Sequence, residues 1–482
     1  MILLFTDVSH TPGIGKYAGT YKVATELRKH GYETQVIDCF KYLGLKRLKL
    51  VLDKFLNSET ILIGISNTLM YNQKSMWGIT DIEFEQFVSY AKTINSKVKF
   101  MVGGAGVTKL SSWPYIDFTI LNKGDNAIIA LADHVTNNAP LKYTQVNNTK
   151  LIDGNDYFYS QEEFSTSFIR FEKNDVILDG EALPIEVARG CIFKCAFCFY
   201  DLIGKRIGDW TKTEDTLYEE MMYNYNMFGT TQYMISDELV NESIPKLEML
   251  VSLAQNLPFK LEYTAYARMD LIVRYPQMIP LLQASGAVGL SFGIETFTHT
   301  AGKAVGKGMD PDRIKDTLED CKAVWKDDVL ISSNFIVGLP GETIQDIKNT
   351  VNYLLEENCP IDAFELNLLT IKDDSDGKVG NKMGEDPDKY GYTIDSNKGW
   401  ISSHMDRNEA KLFLNSLKND PIVKNKRKFM SATYIGRIMS LGYSIQDIFK
   451  LMNDQTFLET IQQVNLRTHY KKEEYYRKLM DL

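Results

Sequence analysis

Cys191-Ile192-Phe193-Lys194-Cys195-Ala196-Phe197-Cys198 places three cysteines in a CxxxCxxC array directly after a short apolar stretch, Ile185–Ala188. Three thiolates on one short loop can hold three irons of a [4Fe–4S] cluster and leave the fourth iron without a protein ligand. A reactive metal centre keeps such an open position, whereas a structural one closes it. Zinc would ask for four ligands, usually as two pairs, and no second pair stands in the sequence. The apolar stretch reads as a strand, so the cysteines hang from a strand's carboxyl end.

Downstream, strand and helix alternate to about Thr370. The expected strands are Ile185–Ala188, Gln232–Ile235, Lys260–Tyr266, Val288–Phe292, Val329–Val337 and Ala363–Leu369. Helices fill the gaps: Thr213–Phe228 ends at Gly229, and Asp310-Pro311 opens another with a capping side chain and a first-turn proline. The cysteine array, with aromatic Phe197 before the third cysteine, resembles the radical S-adenosylmethionine (SAM) superfamily. That resemblance implies a partial (β/α)6 barrel over 185–370, with the site at the carboxyl ends of its strands. It further implies that SAM binds the open iron and is cleaved by the reduced cluster to a 5′-deoxyadenosyl radical.

The strand ends carry the polar residues this implies. Asp237 and Glu238 stand where the family places groups that receive the SAM amino group, and a carboxylate suits an ammonium. Tyr266-Ala267-Arg268-Met269-Asp270 resembles an Arg-x-Asp signature, so Arg268 is expected on the SAM carboxylate or on substrate. Gly293-Ile294-Glu295 resembles a Gly-Ile-Glu motif, with Glu295 expected at the ribose hydroxyls. Gly338-Leu339-Pro340-Gly341-Glu342-Thr343 resembles the family's Gly-Leu-Pro-Gly-Glu-Thr, with Gly338 near adenine and Glu342-Thr343 starting the next helix. Gly302-Lys303 and Gly306-Lys307 lack phosphate-loop spacing and read as a solvent-facing loop.

Residues 1–140 alternate strands (Ile2–Thr6, Thr34–Asp38, Thr60–Ser66, Lys97–Gly103) with helices (Tyr21–Lys29, Glu83–Thr93), which predicts a doubly wound, Rossmann-like parallel sheet. The layout resembles the B12-binding domain that precedes the barrel in one subclass of radical SAM enzymes. Ser66 matches the polar residue after its third strand and Gly103-Gly104 its paired glycines, small enough to let backbone approach a corrin or nucleotide tail. His10 is the candidate cobalt ligand, although Asp7-x-x-His10-x-x-Gly13 departs from the Asp-x-His-x-x-Gly of proteins that replace the lower ligand. A loop histidine with no such role is the plainer reading of His10. With cobalamin, the resemblance implies methylation of an unactivated carbon or phosphorus; without it, rearrangement, cyclisation or oxidation. Methylthiolation would need further cluster cysteines in this domain, which has only Cys39.

Residues 141–184 read as a linker and 371–482 as a mainly helical C-terminal cap, with Trp400 and His404 as packing and surface residues. A net charge of −9 argues against non-specific nucleic-acid binding. No apolar run approaches a membrane span, and six cysteines in 482 residues do not make a disulfide scaffold. A cytoplasmic enzyme acting on a small molecule or peptide is expected, reduced by an external one-electron donor such as flavodoxin or ferredoxin. A non-enzymatic SAM or iron–sulfur sensor is the alternative in a different class.

Overall fold

A computed structural model of the protein describes residues 1–482 apart from 9–11, 69–76, 105, 110, 159, 201, 374, 376–379 and 427–430. His10 lies outside the described residues.

Ile2–Phe5, Thr34–Ile37, Leu62–Ser66, Lys99–Gly103 and Phe118–Leu121 form five neighbouring parallel strands of a seven-stranded sheet. Spatially, Ile2–Phe5 lies between Thr34–Ile37 and Leu62–Ser66, so the strand order reverses there. Ligands of such sheets bind outside the carboxyl ends at that reversal. The strands are nearly continuous apolar runs, and helices cover both faces, as parallel sheets require. Ser66 pairs in register with Gly103, which brings both to the same rim.

The segment 141–184 is more than a linker. Thr149–Asp153 adds a parallel strand beside Phe118–Leu121, and Thr144–Val146 folds back antiparallel at the edge. These strands are short and half polar, so apolar periodicity does not reveal them. Farther on, Asp175 receives two bonds from Arg28 (2.8 and 2.7 Å), clamping the segment to the opposite sheet edge.

The second sheet runs, in spatial as in sequence order, through Leu183–Ile185, Gln232–Ile235, Glu262–Ala267, Ala287–Glu295, Leu330–Val337 and Ala363–Leu368, all parallel. This is the expected six-stranded partial barrel. Its first strand lies earlier than the sequence suggests. The N–H groups of Val187 and Ala188 leave the ladder to bond the Asp237 carboxylate at 2.8 and 2.9 Å. Side chains alternate along each strand: Tyr263, Ala265 and Ala267 join the core shared with the outer helices, while Tyr266 faces Thr433.

The C-terminal residues do not form one cap over the barrel. Lys382–Glu385 and Gly399–Ile401 reach the cluster loop and the Gly338 turn. Helix Ala432–Met439 instead closes the barrel's other end: Tyr434, Ile435, Ile438 and Met439 share a core with Val288, Leu330 and Ala363, which open their strands. Phe457–Asp481, a single 25-residue helix, docks on the N-terminal domain, where the Tyr475 hydroxyl accepts from the Asp38 N–H at 2.7 Å.

Candidate active site

The cysteine loop is closed at its neck. Cys191 donates its N–H to the Leu202 carbonyl (3.2 Å), and Gly204 donates to the Cys191 carbonyl (2.6 Å). Gly190 makes the closure possible: its φ is +78°, and a Cβ there would lie 2.5 Å from the Leu202 oxygen. Outside the neck, Ala196 donates to the Val305 carbonyl, and Asn381 Nδ2 donates to the Phe197 carbonyl at 3.1 Å. The loop is therefore gripped from the fourth βα unit and from the C-terminal segment. Cys195 is buried; Cys191 and Cys198 are half-buried, and burial pushes both of their thiols up. Among the described residues no three His, Cys, Asp or Glu side chains converge to hold a single ion. Three soft thiols without a fourth protein ligand fit an iron–sulfur cluster with one open iron.

The expected carboxylate pair divides into two roles. Asp237 accepts from Val187 and Ala188 and pairs with Lys246 Nζ at 2.8 Å, so its oxygens serve the barrel's frame. Glu238 accepts from the Gly190 N–H at 2.9 Å, beside the cluster loop. Burial pushes its carboxyl up to about 7, with the neighbouring Asp237 charge adding to the shift. The sequence offered the two as equals; Lys246, one helical turn into the next helix, decides between them.

Arg268, expected on the SAM carboxylate or on substrate, already has protein partners beside the cysteine loop. Its Nη1 donates to Cys195 Sγ at 3.1 Å, and its other nitrogens bond both Asp270 oxygens and the Gly306 carbonyl. The guanidinium lies 3.5 Å from the Phe193 ring centre. Asn241 fixes the backbone beneath it, accepting from the Arg268 N–H at 2.9 Å and donating to its carbonyl at 3.0 Å. No motif in the sequence marks Asn241.

Glu295 has a φ of +71°, a conformation rare for a non-glycine residue and concentrated at functional sites. Its strand loses register between Gly293 and Glu295, which turns the carboxylate out of the ladder. Burial pushes that carboxyl up, against the opposing charge of Lys307 at 3.6 Å. Lys307 was expected on a solvent-facing loop. His299–Val305 is instead a helix, and Lys307 behind it is nearly buried, donating to the Gly293 carbonyl.

Gly338, at the end of the fifth strand, has a φ of +98° under the Trp400 ring. Trp400 is a packing residue, buried with its Nε1 donating to the Leu369 carbonyl at 3.0 Å, while His404 is exposed. Thr343 caps the following helix as expected, but Glu342 turns inward, accepting from Thr296 Oγ1 at 2.7 Å and from the Gly338 N–H at 3.4 Å. Burial pushes its carboxyl up to about 7.

A cavity of about 470 Å³ opens between the two sheets. Ser66, Gly103 and Gly104 line it from the carboxyl rim of the N-terminal strands, and Leu4 and Gly64 floor it at the point where strand order reverses. Its opposite wall is Arg189, Phe199 and Tyr200, which flank the cysteine loop; the two rings stack at 5.9 Å. Phe197, Glu238, Arg268, Glu295 and Gly338 gather on the barrel side and do not line this cavity.

Residues 185–354 match the radical SAM superfamily. The ribosomal protein uS12 methylthiotransferase RimO of Delftia acidovorans is 26% identical over 189 residues, which cover 36% of this chain and 40% of that protein. The bacteriochlorophyllide d C-8(2)-methyltransferase of Chlorobaculum tepidum is 23% identical over 263 residues, or 52% and 55% of the two. The chain thus spans about half or less of the length of these curated relatives. Among solved structures, the cobalamin-dependent SAM radical enzyme OxsB superposes over 100% of this chain and 80% of its own, with a TM-score of 0.58 at 13% identity. The likeness shows a shared fold, and the sequence match places a radical SAM domain in the barrel of this enzyme, over residues 185–354.

Proposed function

We propose that this enzyme binds cobalamin in the cavity above its N-terminal sheet and methylates, or otherwise modifies, an unactivated position of a small molecule or peptide. The observation that carries the reading is the shared cavity: the small residues of one sheet's ligand-binding rim face the residues that flank the cysteine loop. A group seated there touches both halves of the molecule. OxsB, of like fold, is described as cobalamin-dependent, and the Chlorobaculum tepidum relative is a methyltransferase.

When bound, the cluster supplies the electron that cleaves SAM, and cobalamin supplies a methyl-carrying cobalt. The chain's own residues provide the setting. Cys191, Cys195 and Cys198 hold the cluster. Glu238, whose carboxyl makes no ion pair among the described residues, receives the SAM ammonium, and it does so best above about pH 7, where it is ionised. Asp237 keeps the first strand's end in place and is not itself a SAM ligand. Glu295 accepts from the ribose hydroxyls, and the Gly338 turn lies along adenine. Ser66, Gly103 and Gly104 admit the cobalamin tail; His10 carries no part of the argument. An external one-electron reductant is required, and the oxygen sensitivity of such a cluster suits the cytoplasm. Among the described residues, no helix is long and apolar enough to cross a membrane. Methylthiolation, the activity in RimO's name, is disfavoured: the match to RimO covers 36% of this chain, and the N-terminal domain holds Cys39 alone.

The test is anaerobic purification from cobalamin-fed cells, followed by iron and cobalt analysis and a SAM incubation. About four irons and one cobalt per chain, with 5′-deoxyadenosine or S-adenosylhomocysteine formed, are expected. Four irons without cobalt would remove cobalamin from the reading and leave rearrangement, cyclisation or oxidation.

A further inference from the structure

The placement of Arg268 has no part in holding SAM or substrate as just described. We propose that Arg268 is a tuning residue: a fixed cationic donor on the Cys195 thiolate that raises the reduction potential of the cluster. The inference rests on the reading that Cys191, Cys195 and Cys198 hold a cluster.

Three observations carry it. Nη1 reaches Cys195 Sγ at 3.1 Å, within hydrogen-bond range for sulfur. The guanidinium is not free to turn to another partner, because Asp270 takes two of its nitrogens, the Gly306 carbonyl accepts a further bond and Phe193 stacks on its face. The residue is 5% exposed, with its main chain clamped on both sides by Asn241. A donor held this way keeps its geometry in both oxidation states and acts through a medium that screens charge poorly.

The direction follows from charge. Reduction adds one electron to the cluster, and a cation with an N–H directed at a ligand sulfur stabilises the more negative state. Asp270 tempers the positive charge while fixing its direction, so the bond to sulfur, rather than bare charge, is the main contribution. An arginine suits this task because its planar fork can bond a carboxylate on one edge and a sulfur on the other, which a lysine cannot do.

The experiment uses the full chain, reconstituted anaerobically with iron and sulfide, and reads the midpoint potential by an EPR-monitored redox titration without SAM. Arg268→Gln and Arg268→Leu are compared with the wild type, and Arg268→Lys serves as the conservative variant. Iron content and circular dichroism establish loading and folding. The expected result is a lower midpoint for Gln and Leu, with the reduced-to-oxidised ratio at fixed potential falling about tenfold, or ~59 mV for one electron. Lys should restore part of the shift. An unchanged midpoint in loaded variants, with SAM affinity falling instead, would return Arg268 to the SAM carboxylate and overturn the proposal. Loss of cluster from every Arg268 variant would also overturn it, by making the residue structural. A wild type that loads no cluster would refute the proposed function itself.

Discussion

Arg189 donates to the Asp125 carboxylate at 2.8 Å, tying the residue two before the first loop cysteine to the rim of the N-terminal sheet. The same guanidinium holds Glu186 through two bonds of 2.7 and 2.9 Å. Burial alone would raise the Glu186 carboxyl, yet Arg189 beside it keeps it below its ordinary value. One side chain thus fixes the end of the first barrel strand and a wall of the cavity together.

Asp125→Asn should therefore do two things. Unfolding free energy, read by urea titration, should fall by about 1–2 kcal/mol, the usual cost of weakening a charged bond in a partly buried setting. Cobalamin retention should drop several-fold, because Arg189 and Asp125 both line the cavity. If both quantities match the wild type, the pair is only a surface contact.

Glu342 gives a pH signature. Its carboxyl is raised from 4.5 to about 7 in the fold, so the folded state favours the protonated form. The contribution is fully present below pH 4.5 and is lost as pH rises through 7, at a cost of about 3 kcal/mol by pH 8. Glu342→Gln, which like the protonated acid carries no charge, should lack that loss. Relative to the wild type, its denaturation midpoint should improve between pH 5 and pH 8. Parallel curves for the two proteins would refute this.

Gly338→Ala should destabilise by two separable effects. An alanine at φ +98° costs about 1–2 kcal/mol in backbone strain. Its Cβ would also lie 2.4 Å from Trp400 Cη2, which forces the indole to move. Trp400→Leu in the same chain should relieve the second effect and not the first, so a double-mutant cycle should give a clear coupling energy. Additive losses would mean that the ring already has room.

Local chemistry was legible and partner choice was not. The cysteine array, the strand–helix alternation of both sheets and the Thr343 cap are written in adjacent residues, and they stand close to where the sequence places them, apart from an earlier first barrel strand and an unforeseen helix at Phe40–Phe55. Asp237 and Glu238 are neighbours of identical charge. Their division depends on Lys246 and on two N–H groups from the first strand, a tertiary matter that no spacing encodes. Arg268 was recognised by its motif, but its bond to Cys195 was not, because the approach of Cys195 is set by how the cysteine loop folds over the third strand. Thr149–Asp153 escaped notice because Lys150 and Thr149 dilute its apolar pattern, and the sheet edge already present supplies what the segment lacks.

Helix Ala432–Met439 closes the barrel from a point in the chain beyond all six of its strands. At about 5–20 residues per second, the ribosome needs roughly 3–13 s to move from Leu368 to Ala432. Throughout that interval the emerging sheet presents Val288, Leu330 and Ala363 without the helix that covers them in the finished fold. The nascent chain thus has a built-in waiting period, and its yield in a foreign host should depend on chaperone supply more than on codon speed within the barrel.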